Sequence, residues 1–235
     1  MGVYRGPEPI ISDSIILAVD LTSSRGGTIS APKNLVDPAD VMTGYSITIV
    51  DDVMHFDGIS SRIALPAGPI DSLQGWTQGA TVEFWLKRDL GATGDATKTG
   101  IMQISGHNST NGCLYGYTKQ SIYLDFFRTS RVTVSSTSSD NSESWFDMRD
   151  WHHLSVSTGP VTGNWRCMIN GIHRYSTARQ ASISVQNPTY SYHLGRNSGS
   201  RDYPGLMGQM TLHNRELTDA EKTHNYNVSK YRYGL

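Results

Sequence analysis

Residues 205–234 read GLMGQMTLHNRELTDAEKTHNYNVSKYRYG, and this closing stretch decides the fold. In its first half Leu206, Met210 and Leu212 fall on one side of an extended chain, the two-residue period of a strand with one buried face. In its second half Thr218 and Glu221 have the spacing of a capping box, in which the threonine hydroxyl accepts the glutamate amide. The stretch therefore predicts a strand followed directly by a short capped helix.

The rest of the chain predicts strands in quick succession. Ile15–Leu21 is a short apolar run, and within residues 80–88 apolar residues alternate with Glu83 and its neighbours. Asn170-Gly171 is a hairpin dipeptide, because both central positions of a type I′ turn need positive φ. Many short strands with a single good helix predict an all-β antiparallel sandwich.

Length, charge and cysteine content narrow the class of protein. The chain has 235 residues, a net charge of −1 at pH 7 and two cysteines. It shows no basic stripe for nucleic acid, no eighteen-residue apolar run for membrane insertion and no secretory signal pattern. A protein assembled inside a cell is therefore expected. Cys113 and Cys167 could form a bridge, but two free thiols are the expectation for such a protein.

Both ends of the chain resemble the laminin-G-like, concanavalin A-type sandwich domains of tailed-bacteriophage structural proteins. Residues 4–7 (YRGP) and 10–20 (IISDSIILAVD) resemble the opening of that family, with Ser14 in place of its usual glycine. Residues 213–221 (HNRELTDAE) resemble its closing segment, with His213 where the family usually has tyrosine. The resemblance implies a concanavalin A-like (laminin-G-like) jelly roll with adjacent first and last strands.

That resemblance also implies a role. It predicts a non-enzymatic structural component of the virion, as a capsid decoration or cement protein or as a tail or fibre-associated protein. Such a protein would be assembled in the host cytoplasm, with other virion proteins and copies of itself as partners. We expect a single sandwich domain over residues 14–235, preceded by an extended arm over residues 1–13.

The arm is the predicted partner-binding element. Pro7 and Pro9 favour extended backbone and donate no amide hydrogen bond, so the arm gains little by folding on its own domain. Tyrosine and arginine are residue types that often anchor interfaces. Val3, Tyr4 and Arg5 are therefore the predicted contacts with another protein chain.

Hydrolysis of a glycan is not expected. Glycosidases need two carboxylates at a fixed separation, and the hydrolases of this superfamily place them as E-x-D-x-E on one strand. The five glutamates stand at positions 8, 83, 143, 216 and 221, and none has that spacing. A glycosidase relic is the weakest alternative.

Glycan binding is the stronger alternative, in the form of a free-standing lectin module or a virion face that binds cell-surface glycans. Sugar sites use exposed aromatic faces, and Tyr115, Tyr117, Trp145 and Tyr203 are the candidates. The same residue types serve equally well as packing residues in strands.

Calcium is the one cofactor considered. Asp57, Asn170 and Asp202 supply loop oxygens of the kind that calcium binds, although a role in turns is the simpler reading of each. His152 and His153 are adjacent in a predicted strand and so face opposite sides, which argues against a shared metal.

Overall fold

The computed structural model describes residues 10–22, 27–73, 78–89, 99–103, 113–116, 121–126, 130–135, 150–160, 164–178, 192–196 and 202–235. The large sheet contains β1 (Ile15–Asp20), β5 (Thr48–Val50), β6 (Val53–Asp57), β8 (Ala80–Arg88), β13 (His152–Thr158), β14 (Asn164–Ile169), β15 (Ile172–Ala178) and β17 (Pro204–His213). The small sheet contains β4 (Thr43–Tyr45), β7 (Arg62–Leu65), β9 (Thr99–Gln103), β10 (Cys113–Gly116), β11 (Ser121–Phe126), β12 (Ser130–Ser135) and β16 (Tyr192–Leu194). A separate ribbon joins β2 (Gly27–Thr28) to β3 (Ala31–Pro32), and the helices are α1 (Ala67–Asp71) and α2 (Asp219–Ser229), the latter continued by a 3-10 turn at Lys230–Tyr233.

The strand order is that of an antiparallel sandwich. The large sheet runs β15-β14-β13-β8-β17-β6-β5, and the small sheet runs β12-β11-β10-β9-β16-β7-β4. β1 pairs with β17 alongside β6, placing Leu17 opposite Leu212 and Val19 opposite Met210. The predicted adjacency of the first and last strands is confirmed.

The core lies between the two sheets and follows the two-residue period of the strands. On β8, Val82, Phe84 and Leu86 belong to this core, and burial of such side chains contributes roughly 1.5–3 kcal/mol each. The intervening Glu83 and Trp85 face the other way, yet both are buried as well. The large sheet is therefore covered on both faces.

The outer face of the large sheet is covered by α2, which begins where the sequence predicts. The Thr218 hydroxyl accepts the Glu221 amide while the Glu221 carboxylate accepts the Thr218 amide, which completes the capping box. The Trp85 ring stacks on Tyr233 at 4.2 Å between centroids, and its Nε1 donates to Ser229 Oγ at 3.0 Å. These contacts hold the helix and the turn after it flat against β8.

The predicted hairpin turn is present, and the helices are short. Asn170 and Gly171 have φ values of 53° and 74°, as the predicted hairpin requires. The short helix α1 was not predicted. Within the described residues, no helix is long and apolar enough to cross a membrane.

Cys167 is a free thiol in the core, fully buried on β14. Burial raises its pKa to about 12. The side chain of Cys113 lies outside the described residues, so the prediction for that thiol stays a prediction.

Candidate functional site

The turn after β6 is built around Asp57. Its Oδ1 accepts the backbone N–H groups of Ile59, Ser60 and Ser61 at 2.8–2.9 Å, and its Oδ2 accepts the Ser60 hydroxyl at 3.0 Å. Burial alone would raise the pKa of Asp57, but these hydrogen bonds outweigh it and hold the pKa well below its usual value. The carboxylate therefore organises a turn, as aspartates commonly do.

Asp202 lies beside this turn, because its near neighbour Pro204 pairs with Asp57 in the ladder. The carboxylate is almost fully buried, with Oδ1 at 3.4 Å from Arg196 Nε. Burial raises its pKa, although the charge of Arg196 partly offsets the effect. The two aspartates thus form one acidic pair whose members differ in exposure and in hydrogen bonding.

Asn170, the third calcium candidate, is elsewhere. Its Oδ1 accepts the backbone N–H of His153 at 2.8 Å. Four steps across the sheet separate β14 from β6, which amounts to about 19 Å. In the stretches that the structure describes, no three His, Cys, Asp or Glu side chains gather as a metal site requires. The three candidates therefore do not share one site, and calcium stays a prediction.

An exposed aromatic group stands at the edge of the small sheet. The Tyr45 side chain is 40% exposed, and the Arg62 guanidinium lies 4.1 Å from the centre of its ring, within cation–π range. His193 lies nearby on β16, where burial and the charges of Arg62 and Arg196 lower its pKa to about 4. Sequence reasoning missed Tyr45, since a tyrosine in a strand has the same local pattern whether its ring is packed or exposed.

A cleft opens between β4 and β5, the strands that end the two sheets on the same side. Its volume is about 610 Å³, and Ile29, Gly44, Ile47, Ile49 and Met54 contribute to its walls. Ile47 and Met54 are buried, so the cleft reaches down to the core. Its lining is mainly apolar, and its volume is in the size range of ligand pockets.

Of the four glycan candidates, Tyr203 is the one whose side chain the structure describes. Tyr203 is fully buried and packs edge-on against Phe56 at 6.5 Å, which corrects its assignment as a surface sugar contact. Tyr115 lies opposite Tyr123 in the β10–β11 ladder, and its side chain is outside the described residues. Tyr117 and Trp145 also lie outside them, so these three stay predictions.

A group of buried titratable side chains lies between the large sheet and α2, around Glu83. His213 Nε2 is 3.7 Å from Glu83 Oε2, and His153 Nε2 is 3.9 Å from Oε1. Asn225 Nδ2 donates to Oε2 at 2.6 Å. Ser14 Oγ lies 3.0 Å from His213 Nδ1 on the far side of the imidazole. We call Glu83, His153, His213 and Asn225 the Glu83 cluster.

The electrostatics of the Glu83 cluster favour a charged carboxylate. Burial alone would raise the pKa of Glu83, but the interactions with His213, His153 and Asn225 together lower it. Burial lowers the pKa of His153, an effect partly offset by the charge of Glu83. Periodicity had placed Glu83 on the face of β8 opposite Val82; its burial depends on α2, 136 or more positions away in sequence.

The predicted partner contacts Val3, Tyr4 and Arg5 lie outside the described residues. The end of the predicted arm is described and rests on its own domain. The Ile11 N–H donates to Asn225 Oδ1 at 2.8 Å, and Asp13 pairs with Arg215 at 2.9 Å. The described part of the arm therefore departs from a free extended segment.

Comparison with known proteins identifies the fold family. The chain matches the Laminin_G_3 family, described as concanavalin A-like lectin/glucanases superfamily, over residues 57–221. No curated protein matches the chain in sequence.

Solved structures share the fold at low identity. The receptor-binding domain of botulinum neurotoxin C/D mosaic serotype is 12% identical with a TM-score of 0.66, over 92% of this chain and 51% of that one. A Trypanosoma rangeli sialidase is 12% identical with a TM-score of 0.64, over 98% of this chain and 36% of that one. Domain 4 of AbnA, an arabinanase of Geobacillus stearothermophilus solved with arabinotriose, is 16% identical with a TM-score of 0.57, over 89% of this chain and 99% of that domain. This chain thus spans about half or less of the toxin and sialidase chains. On the family match over residues 57–221, the chain belongs to the laminin-G-like branch of the concanavalin A-like lectin/glucanase superfamily.

Proposed function

We propose that this protein is a non-enzymatic structural component of a tailed-phage virion, as a capsid decoration or as a tail or fibre-associated protein. The observation that carries the proposal is that the two stretches resembling phage structural proteins are adjacent in the fold. β1 pairs with β17, and Arg215 joins Asp13 to Glu221 at 2.9 and 2.8 Å. The similar residues therefore form one unit rather than two unrelated ends.

The carboxylates that the structure describes support a role without catalysis. A glycosidase needs two carboxyl groups that both reach the substrate. Glu83 is sealed beneath α2, Asp202 is buried, and Asp57 has both oxygens engaged in its turn. Glu83 and Asp57 have structural uses where they stand, and Asp202 is buried beside Arg196.

The test is quantitative mass spectrometry of purified particles, with the copy number measured against the major capsid protein. Hundreds of copies per particle would indicate a decoration protein, and a dozen or fewer would indicate a neck, tail or fibre position. Absence of the protein from particles that infect normally would refute the virion role.

A free-standing carbohydrate-binding module is the second candidate. It is favoured by the shared fold with the arabinanase domain solved with arabinotriose and by the exposed Tyr45 ring beside Arg62. Stacking of a sugar on an aromatic face is a common mode of glycan recognition. A glycan array followed by calorimetry tests this function. Binding that Tyr45→Ala weakens at least about tenfold, while the exposed control Tyr231→Ala leaves it unchanged, would support it.

A further inference from the structure

The N-terminal stretch Ile10–Ser14 is bound to the Glu83 cluster at both of its ends. The Ile11 N–H donates to Asn225 Oδ1, and the same amide group of Asn225 donates through Nδ2 to Glu83 Oε2. Three residues later, Ser14 Oγ contacts His213 Nδ1, and His213 Nε2 faces the other side of the same carboxylate oxygen. One hydrogen-bonded route through Asn225, and one route through the His213 imidazole 3.7 Å from the carboxylate, therefore lead from Ile10–Ser14 to Glu83.

Ile10 also closes a small cavity over that carboxylate. The cavity has a volume of about 10 Å³, close to the space that one water molecule occupies. Glu83, Gln209 and Thr211 lie in its wall. Among the residues that the structure describes, Glu83 Oε1 has no hydrogen-bond partner. Departure of Ile10 would let solvent reach a carboxylate that is now buried.

We propose that the Glu83 cluster is a protonation-controlled latch, which holds Ile10–Ser14 on the domain while Glu83 is ionised and releases it in acid. In the latched state the Glu83 carboxylate fixes the Asn225 amide through a short charge-assisted bond, and Asn225 in turn presents Oδ1 to Ile11. His213 Nε2 lies 3.7 Å from the same carboxylate, and in the tautomer protonated at Nε2 its Nδ1 accepts a hydrogen bond from the Ser14 hydroxyl at 3.0 Å. This proposal is independent of the virion role.

Acid weakens the connection through Asn225. Protonation of Glu83 removes the charge that orients the Asn225 amide, and with it the acceptor that Asn225 presents to the Ile11 N–H. The cluster also gains positive charge in a buried place, which favours the solvated, released state. Because His213, His153 and Asn225 together lower the pKa of Glu83 in the latched state despite its burial, falling pH shifts the equilibrium toward release.

Among the described residues, few other charged groups face the Glu83 carboxylate. β13 contributes His153 and β17 contributes His213, whereas α2 presents the neutral Asn225 and Ser229. Lys222, one turn earlier on α2, is directed to Ser157 at 2.6 Å and to Asp219. On the stretch itself, Asp13 points to Arg215. The latch therefore depends on Glu83 and the two imidazoles.

The Ile11 amide provides a direct readout, because it donates to Asn225 of the Glu83 cluster. We would measure amide hydrogen exchange by NMR on the whole chain between pH 7 and about pH 3, a range that extends below the ordinary glutamate pKa of about 4.3, with correction for intrinsic rates. The wild-type protection factor of Ile11 should fall about tenfold or more, the equivalent of one pKa unit of linkage, while core amides such as Phe84 keep theirs. Constant Ile11 protection in a folded protein over this range would overturn the proposal.

Two variants make the test specific. Glu83→Gln should lower Ile11 protection at pH 7 and abolish its pH dependence, and retention of the wild-type pH profile would overturn the latch. The matched control is His55→Gln on β6. It removes another histidine–carboxylate pair, in which His55 Nε2 lies 2.5 Å from Asp89 Oδ2, and should leave the Ile11 profile unchanged. If Glu83→Gln does not fold, Ser14→Ala replaces it: unchanged Ile11 protection at pH 7 would then refute the proposal.

Discussion

Replacement of Thr81 by valine should destabilise the turn that connects β17 to α2. The Thr81 side chain is fully buried, and its hydroxyl makes two hydrogen bonds to the connecting turn. It donates to the Arg215 carbonyl at 3.0 Å and accepts the Leu217 N–H at 2.8 Å. Valine fills the same volume but makes neither bond, so the change isolates the polar contribution.

The expected loss of stability follows from the two backbone groups that Thr81→Val leaves without a hydrogen-bond partner. Each unsatisfied buried group costs about 1–3 kcal/mol, so Thr81→Val should lower the free energy of unfolding by about 3 kcal/mol. At a urea m-value of about 3 kcal/mol per molar, the unfolding midpoint falls by about 1 M. The matched control Thr81→Ser keeps the hydroxyl and removes one methyl group, at a cost of about 1 kcal/mol.

The assay is urea unfolding followed by tryptophan fluorescence and far-UV circular dichroism, with the m-value unchanged between variants. If Thr81→Val loses no more stability than Thr81→Ser, the hydroxyl does not hold the junction and the reasoning fails.

Three further substitutions test other parts of the fold. Gly195 has φ 76°, and a Cβ there would lie 2.2 Å from the buried Phe56 ring. Gly195→Ala should therefore lower the free energy of unfolding by about 3 kcal/mol or more, measured by thermal unfolding. The control Gly68→Ala, where the space is open, should change it little. His193 has a pKa of about 4 in the folded protein and about 6.5 when unfolded, so the folded protein loses stability as pH falls between these values. His193→Gln should reduce that loss by about 1–2 kcal/mol after solvent screening. An unchanged pH profile of urea midpoints in the variant would contradict this prediction. Thr218→Ala should remove the N-cap of α2 and cost about 1 kcal/mol, measured by urea unfolding.

The features predicted correctly from sequence are those with a local or periodic signal. The alternation of Leu206–Leu212 and the apolar run of Ile15–Leu21 both mark strands, and the resemblance then supplied their pairing. Thr218 and Glu221 carry a capping signal within four residues, and Asn170-Gly171 carries its turn within two. Each needs little information from the rest of the chain.

The features that sequence reasoning missed depend on contacts between distant segments. Tyr203 stands next to Pro204-Gly205 and was assigned to a surface, but Phe56 covers it from another strand. Glu83 was placed correctly on the outer face of β8, yet nothing near it in sequence shows that α2 covers that face. A polar residue on a strand has the same local pattern whether solvent or a helix lies above it.

The docking of Ile11 against α2 determines how the domain can be attached to a larger object. Ile10 and the Lys230–Tyr233 turn both lie over the outer face of the large sheet, near Trp85. Any tether joined before Ile10 or after Leu235 therefore starts from that side. A domain anchored in this way would turn the opposite side, formed by the small sheet, outward. Library variation aimed at new recognition properties is best placed on the small-sheet side, where an anchored molecule would present it to approaching surfaces.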